Sequence, residues 1–203
     1  MGYSLECYAL GHGTLRAMIG SGRTEVVRQV IEAQDRLFVN NPGEGWRAAL
    51  RDLVAGARGR VLAQSWAASE HRQASPPVAA SDSEAMAMTA LIRFLGQSAG
   101  QLVCNSRAGQ KFRAMFQPNF HPPQFVMPEL APLLLSRPLA GLVRDDYPTW
   151  GGWTLPELTA TMGGHSEPAD APPDEDQQTW LYELNDILVD IRDWDSDLVT
   201  LYL

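Results

Sequence analysis

Tyr3, Leu5, Cys7 and Ala9 alternate with Ser4, Glu6 and Tyr8, the period-two pattern of a half-buried strand. Gly11-His-Gly13 interrupts it, and Thr14 is placed to cap a short helix carrying Leu15, Met18 and Ile19 inward. After the Gly20-Ser-Gly22 turn the period lengthens. Val26, Val27, Val30, Ile31, Gln34, Leu37 and Phe38 recur at helical spacing, so Thr24 starts a helix that Asn40-Asn-Pro-Gly43 stops. Trp46, Ala49, Leu50, Leu53 and Val54 mark a third helix, with Arg47, Arg51 and Arg58 off its stripe as a solvated face. Ser81 and Glu84 have the spacing of a capping box, and Met86, Met88, Leu91, Ile92 and Leu95 follow on the buried side of the helix it opens. Thr154 and Glu157 repeat the signal for a helix that Gly163-Gly164 ends. The clearest stripe is Trp180, Leu181, Leu184, Ile187, Leu188 and Ile191, with Glu183, Asp186, Asp190 and Asp193 off it. Leu198 to Leu203 reads as a closing strand.

Residues 108–116 form a further expected helix and 128–135 a short apolar one, joined by the proline-rich run Pro118–Phe125. Leu102-Val-Cys104 is too short to assign. The stretches 65–81, rich in Ala, Ser, Pro and Gln, and 163–178, acidic and proline-bearing, predict mobile loops. The elements sum to an α+β fold in one domain, residues 1–203. Several helices pack on a small mixed or antiparallel sheet that includes the N- and C-terminal strands, and residues 3–10 are expected to pair with 198–203.

Composition adjusts this picture modestly. An apolar share of 45% suffices for a real core. No apolar run is long enough for a membrane span, and no signal peptide is visible at the N-terminus, so a soluble cytoplasmic protein is expected. There Cys7 and Cys104 read as small buried hydrophobes. Only one of the 16 basic residues is a lysine, a bias associated with GC-rich bacterial genomes.

Charge is uneven. Residues 1–120 carry 13 basic and 9 acidic side chains, whereas residues 121–203 carry 3 and 15. An acidic half repels phosphate, and the basic half has no clustered run with interleaved aromatics, so nucleic-acid binding is not expected. The surplus acid predicts one contiguous acidic surface around Asp186, Asp190, Asp193 and the loop Asp174–Asp176, drawn to a basic protein partner. Arginines of the first helices are expected to face the acidic C-terminal helix.

Local motifs for chemistry are sparse. His12, His71, His121 and His165 stand alone, without the paired spacing of a metal site, and no cofactor or metal is called for. Gly20-x-Gly22 precedes a helix and offers an anion position, with a plain turn as the simpler reading. Asp193-x-Asp195-x-Asp197 starts like a calcium loop but has neither its glycine nor its terminal glutamate. Unusual residues concentrate in Ser136–Glu157, where Asp145, Asp146 and Tyr147 precede Trp150 and Trp153 across Gly151-Gly152. Aromatics beside glycines make either a core corner or a recognition surface. The candidate binding residues are therefore Trp150, Trp153, Tyr147, Asp145 and Asp146, joined by Asp186 and Asp190.

The Met1–Leu5 strand, Pro138–Gly141, the run Tyr147–Glu157 into a helix, and Asp197–Tyr202 together resemble the YfbM-like proteins of bacteria. The match covers roughly a third of the chain and does not extend to Ser65–Phe125. It implies a compact α+β fold and carries over no catalytic residues. The expected function is a non-catalytic protein-interaction module, immunity or antitoxin-like, with an acidic C-terminal face. Two alternatives stand beside it: an enzyme with a carboxylate or divalent-metal site near Asp145 or Asp146, and a small-ligand binder with its mouth at the glycine turns of residues 11–22.

Overall fold

The computed structural model describes residues 3–37, 45–70, 78–105, 108–115, 142–144, 148–162 and 175–203. Its contacts divide the chain into two compact units, one of residues 1–11, 97–137 and 149–203, the other of 12–96 and 138–148.

In the first unit the two terminal strands pair, as two strand-like ends in a largely helical pattern predict. Strand β1 (Tyr3–Ala9) runs antiparallel to β6 (Leu198–Tyr202), with Leu5 opposite Tyr202 and Ala9 opposite Leu198. Outside β1 lies β3 (Gln97–Cys104), with a bulge at Cys7/Tyr8, and outside β6 lies β5 (Thr149–Trp153). The sheet order is β3-β1-β6-β5. Strands β3 and β5 carry small residues that hide their pattern: Leu102–Cys104 is only the end of β3, and β5 is Thr-Trp-Gly-Gly-Trp. Gly152 sits at φ +144°, and a Cβ there would fall on the Leu198 carbonyl of the adjacent strand. The glycine is what lets β5 lie this close to β6.

Three helices complete this unit: α6 (Gly109–Ala114), α7 (Leu155–Met162) and α8 (Glu175–Asp193). Helix α7 starts where the Thr154 signal predicts, its backbone N–H donating to Glu157 Oε2 at 2.9 Å. Asp197 adds a second cap by accepting from the Leu155 N–H at 2.8 Å. Helix α8 begins at Glu175, so the predicted loop 163–178 is shorter at its far end; Glu175 and Asp176 in the first turn suit a helix N-terminus. The rest of that stretch, 163–174, lies outside the described residues. Helix α8 lays Trp180, Leu184, Ile187 and Ile191 inward, and Ile187 reaches the open backbone at Gly100 of β3. Phe112 of α6 meets Trp180 edge-on at 5.1 Å and stacks on Tyr202 at 6.2 Å. Both cysteines are buried free thiols. Burial, reinforced by the Glu6 carboxylate, pushes the Cys7 thiol up to about 12, which keeps it protonated and unreactive.

The second unit is mainly helical. It holds α1 (His12–Met18), α2 (Thr24–Leu37), α3 (Gly45–Ala55), α4 (Ala57–Glu70) and α5 (Asp82–Leu95), with β2 (Val78–Ala79) paired parallel to β4 (Leu142–Val143). Helix α1 starts at His12, ahead of the expected cap at Thr14. The Ser81 capping box forms as predicted, with Glu84 N–H donating to Ser81 Oγ and the Ser81 N–H donating back to Glu84. The predicted loop 65–81 is corrected at both ends. Residues 65–70 continue α4, where alanines favour the helix and the prolines come later, and Val78–Ala79 forms a strand; 71–77 lie outside the described residues. Arg58 is not on a solvated face. It belongs to α4 beyond the break at Gly56 and pairs with Glu84 at 2.7 Å, both side chains mostly buried. Glycine turn 20–22 is a packed seam, not a mouth. Gly20 and Gly22 have φ of +69° and +75° and give their N–H groups to the carbonyls of Leu53 and Val54. Those donors are used internally, so the turn offers none of them to an anion.

Candidate interaction surface

Of the proposed binding residues, Asp145, Asp146 and Tyr147 lie outside the described residues. Trp150 and Trp153 are described and are core: 0% and 2% exposed. As binding residues the two indoles are corrected by their strand. Both faces of β5 are buried over its whole length, so neither side of the alternation reaches solvent. The Trp150 Nε1 has no hydrogen-bond partner among the described residues.

Asp186 and Asp190 have the opposite placement. Both are exposed on α8, on the side opposite Leu184, Ile187 and Ile191. Glu183, Asp186, Asp190 and Asp193 follow at steps of three, four and three, which keeps them on one stripe of a helix. Two exposed aromatics bracket that stripe. Tyr182 stands four residues before Asp186 and is 55% exposed; Trp194 stands four residues after Asp190 and is 42% exposed. Neither is among the candidate binding residues named from the sequence. The signal is present in the sequence, because Tyr182 lies off the apolar stripe of its helix and Trp194 follows its end, both beside acids.

Trp194 is held by the way α8 ends. Asp195 takes φ +54°, the Asp195 N–H donates to the Arg192 carbonyl, and the Ser196 N–H reaches back to Ile191. These are the two bonds of a Schellman stop, with aspartate in the left-handed position that glycine usually fills. The ring therefore leaves the helix end from a fixed backbone.

The neighbouring acids divide by use. Asp193 bonds Arg192 at 2.9 Å, Asp176 lies 3.5 Å from Lys111, and Asp197 caps α7. Of the three acids spaced like the start of a calcium loop, Asp193 pairs with Arg192, Asp197 caps α7 and Asp195 shapes the turn through its backbone. Glu183, Asp186 and Asp190 have no ion-pair or hydrogen-bond partner among the described residues. Two arginines of the helical unit bind acids of that same unit. Arg28 bonds Glu25 and Glu32 one turn away on α2, and Arg58 bonds Glu84. Helical spacing brings Arg28 its two partners within α2, whereas Arg58 reaches Glu84 on α5. Arg144 likewise bonds Asp82 at 2.7 Å and the Ala80 carbonyl at 3.1 Å.

No group of three or more metal-ligating side chains occurs among the described residues, and no described helix is long and apolar enough to cross a membrane. No protein-family model matches the sequence, and no curated protein or solved structure matches it either. The likeness to the YfbM-like proteins thus rests on the quoted residues alone.

Proposed function

We propose that the protein is a protein-interaction module, of an immunity or antitoxin-like kind, that engages a basic protein through the outward stripe of α8. The observation that carries the reading is the sequence of exposed side chains Tyr182, Asp186, Asp190 and Trp194, each four residues from the next, with Glu183 alongside. Twelve residues of helix extend about 18 Å, enough for several side chains of a partner. Aromatic faces next to carboxylates suit arginine above lysine. A guanidinium stacks on a ring while its N–H fork bonds a carboxylate, whereas an ammonium gains only the charge. Carboxylates without a local cation also make long-range attraction available, so association is fast and falls as salt rises.

The test uses a short arginine-rich peptide and the intact protein, with binding followed by residue-resolved NMR. Shifts concentrated on residues 179–194, an affinity that falls with added salt, and a loss of about tenfold in the Asp186→Asn/Asp190→Asn variant are expected. The Glu25→Gln/Glu32→Gln variant removes the same charge elsewhere and should bind as the parent does. Equal losses in the two variants, or shifts spread over the whole surface, would reduce the effect to net charge and sink the reading.

A further inference from the structure

A second feature lies in the other unit and is independent of the α8 stripe. A groove of about 400 Å³ opens between α2 and α3, walled by Val27, Ile31 and Ala55. That volume is at the small end of ligand pockets, a size for a small molecule more than for a protein helix. The groove also carries two arginines that differ in state. Arg28 is bound by Glu25 at 2.6 Å and by Glu32, so its charge is met within α2. Arg51, reaching the groove from α3, has no hydrogen-bond or ion-pair partner among the described residues.

We infer that this groove binds an aliphatic monocarboxylate, the chain lying against Val27, Ile31 and Ala55 and the carboxylate on the Arg51 guanidinium. The wall excludes a strongly hydrated ligand, because burying polar groups against it without hydrogen bonds is costly. The charge count selects among anions. Glu25, Glu32, Arg28 and Arg51 sum to zero, so one negative charge on Arg51 is tolerated, whereas a dianion faces Glu32 at the same opening. Arginine also matches the carboxylate in geometry, with two parallel N–H donors for two oxygens. An uncharged chain of the same length would keep the wall contacts and lose that pair.

Octanoate is the probe, titrated against the intact protein by calorimetry, with octanol and octylamine as neutral and cationic matches. Saturable binding of one octanoate per chain is expected, with octanol at least tenfold weaker and octylamine silent. Arg51→Gln, at an exposed position, should weaken octanoate about tenfold while leaving octanol unchanged. Ala55→Phe should fill the groove and abolish both, with the helical circular dichroism unaltered. Octanoate that fails to bind up to its solubility, or that binds Arg51→Gln as well as the parent, overturns the inference. So does a dimer in sedimentation that Ala55→Phe splits into monomers, because the groove would then be covered by a second copy.

Discussion

Strand β5 and the region of helix α8 both carry tryptophans in the same unit, and they put them to opposite use. In β5 every residue is buried and Gly152 brings the backbone against β6. In α8 one side is core and the other presents Tyr182, Asp186 and Asp190 to solvent, with Trp194 beyond its last turn. Their neighbours explain the difference. A tryptophan beside glycine has room made for it by a backbone that can approach closely, and such room occurs inside. An aromatic whose helical neighbours are acids is kept outside by the desolvation those acids would suffer. Aromatic content alone does not distinguish a core corner from a surface; the residues one turn or one alternation away do.

The comparison breaks hardest at the two exposed-or-buried indoles. Trp150→Ala should cost about 3–5 kcal/mol of unfolding free energy, whereas Trp194→Ala should stay within about 0.5 kcal/mol. Urea unfolding of the pair decides it, and similar losses would mean that Trp194 is packed as Trp150 is. Next in size is Gly152→Ala. Its φ of +144° and the Leu198 carbonyl in the path of a Cβ predict a loss of about 2–3 kcal/mol, read in the same way. A cost near zero would show that β5 can move away from β6.

Glu84 sharpens the contrast from the side of charge, as an acid built into structure instead of left to solvent. Burial on its own would raise its carboxyl. The Ser81 N–H, the Arg58 guanidinium and the Ser81 hydroxyl outweigh that and hold it below its ordinary 4.5. Since folding lowers this value, the unfolded chain takes up the proton first as pH falls. The contribution is therefore complete above about pH 4.5 and is lost as the pH drops through the lower folded-state value. Glu84→Gln should cost about 1–2 kcal/mol at neutral pH, and the difference from the parent should shrink in acid. A difference that stays constant down to the acid transition would refute this role.

The smallest effect belongs to α8 itself. Asp186 and Asp190 repel across one turn, so the Asp186→Asn/Asp190→Asn variant should be more stable by about 0.2–0.5 kcal/mol at low salt, and the gain should vanish as salt screens the pair. A destabilised variant would mean that the two carboxylates have structural partners.

Most of the fold was legible because its signals are local. The Ser81 and Thr154 capping boxes, the apolar stripe of α8 and the alternation of β1 each specify an element within a few residues, and the pairing of β1 with β6 followed from two strand-like ends in a helical chain. Strands β3 and β5 were not legible, because glycine and alanine erase the alternation that marks a strand. Helix α4 ran further than expected because its alanines, which favour a helix, sit just before a run of serine and proline that reads as linker. Of the site, Asp186 and Asp190 could be placed by helical phase. Trp150 and Trp153 could not, since a strand of small residues gives no phase from which to tell inside from outside.

The order β3-β1-β6-β5 also has a consequence in time. A ribosome delivers β1 first and β6 last of these four strands, yet β6 lies between β1 and β5. Until it arrives, β1 and β3 can pair across the helices that separate them in the chain, but β5 has no neighbour of its own in the sheet. The nascent chain therefore holds β5, with its two tryptophans, without a sheet neighbour until β6 has been made, and its edges can meet other chains once they leave the ribosome. The sheet is completed only by the last of its four strands to be made, and any pause before Leu198 prolongs the open state of β5.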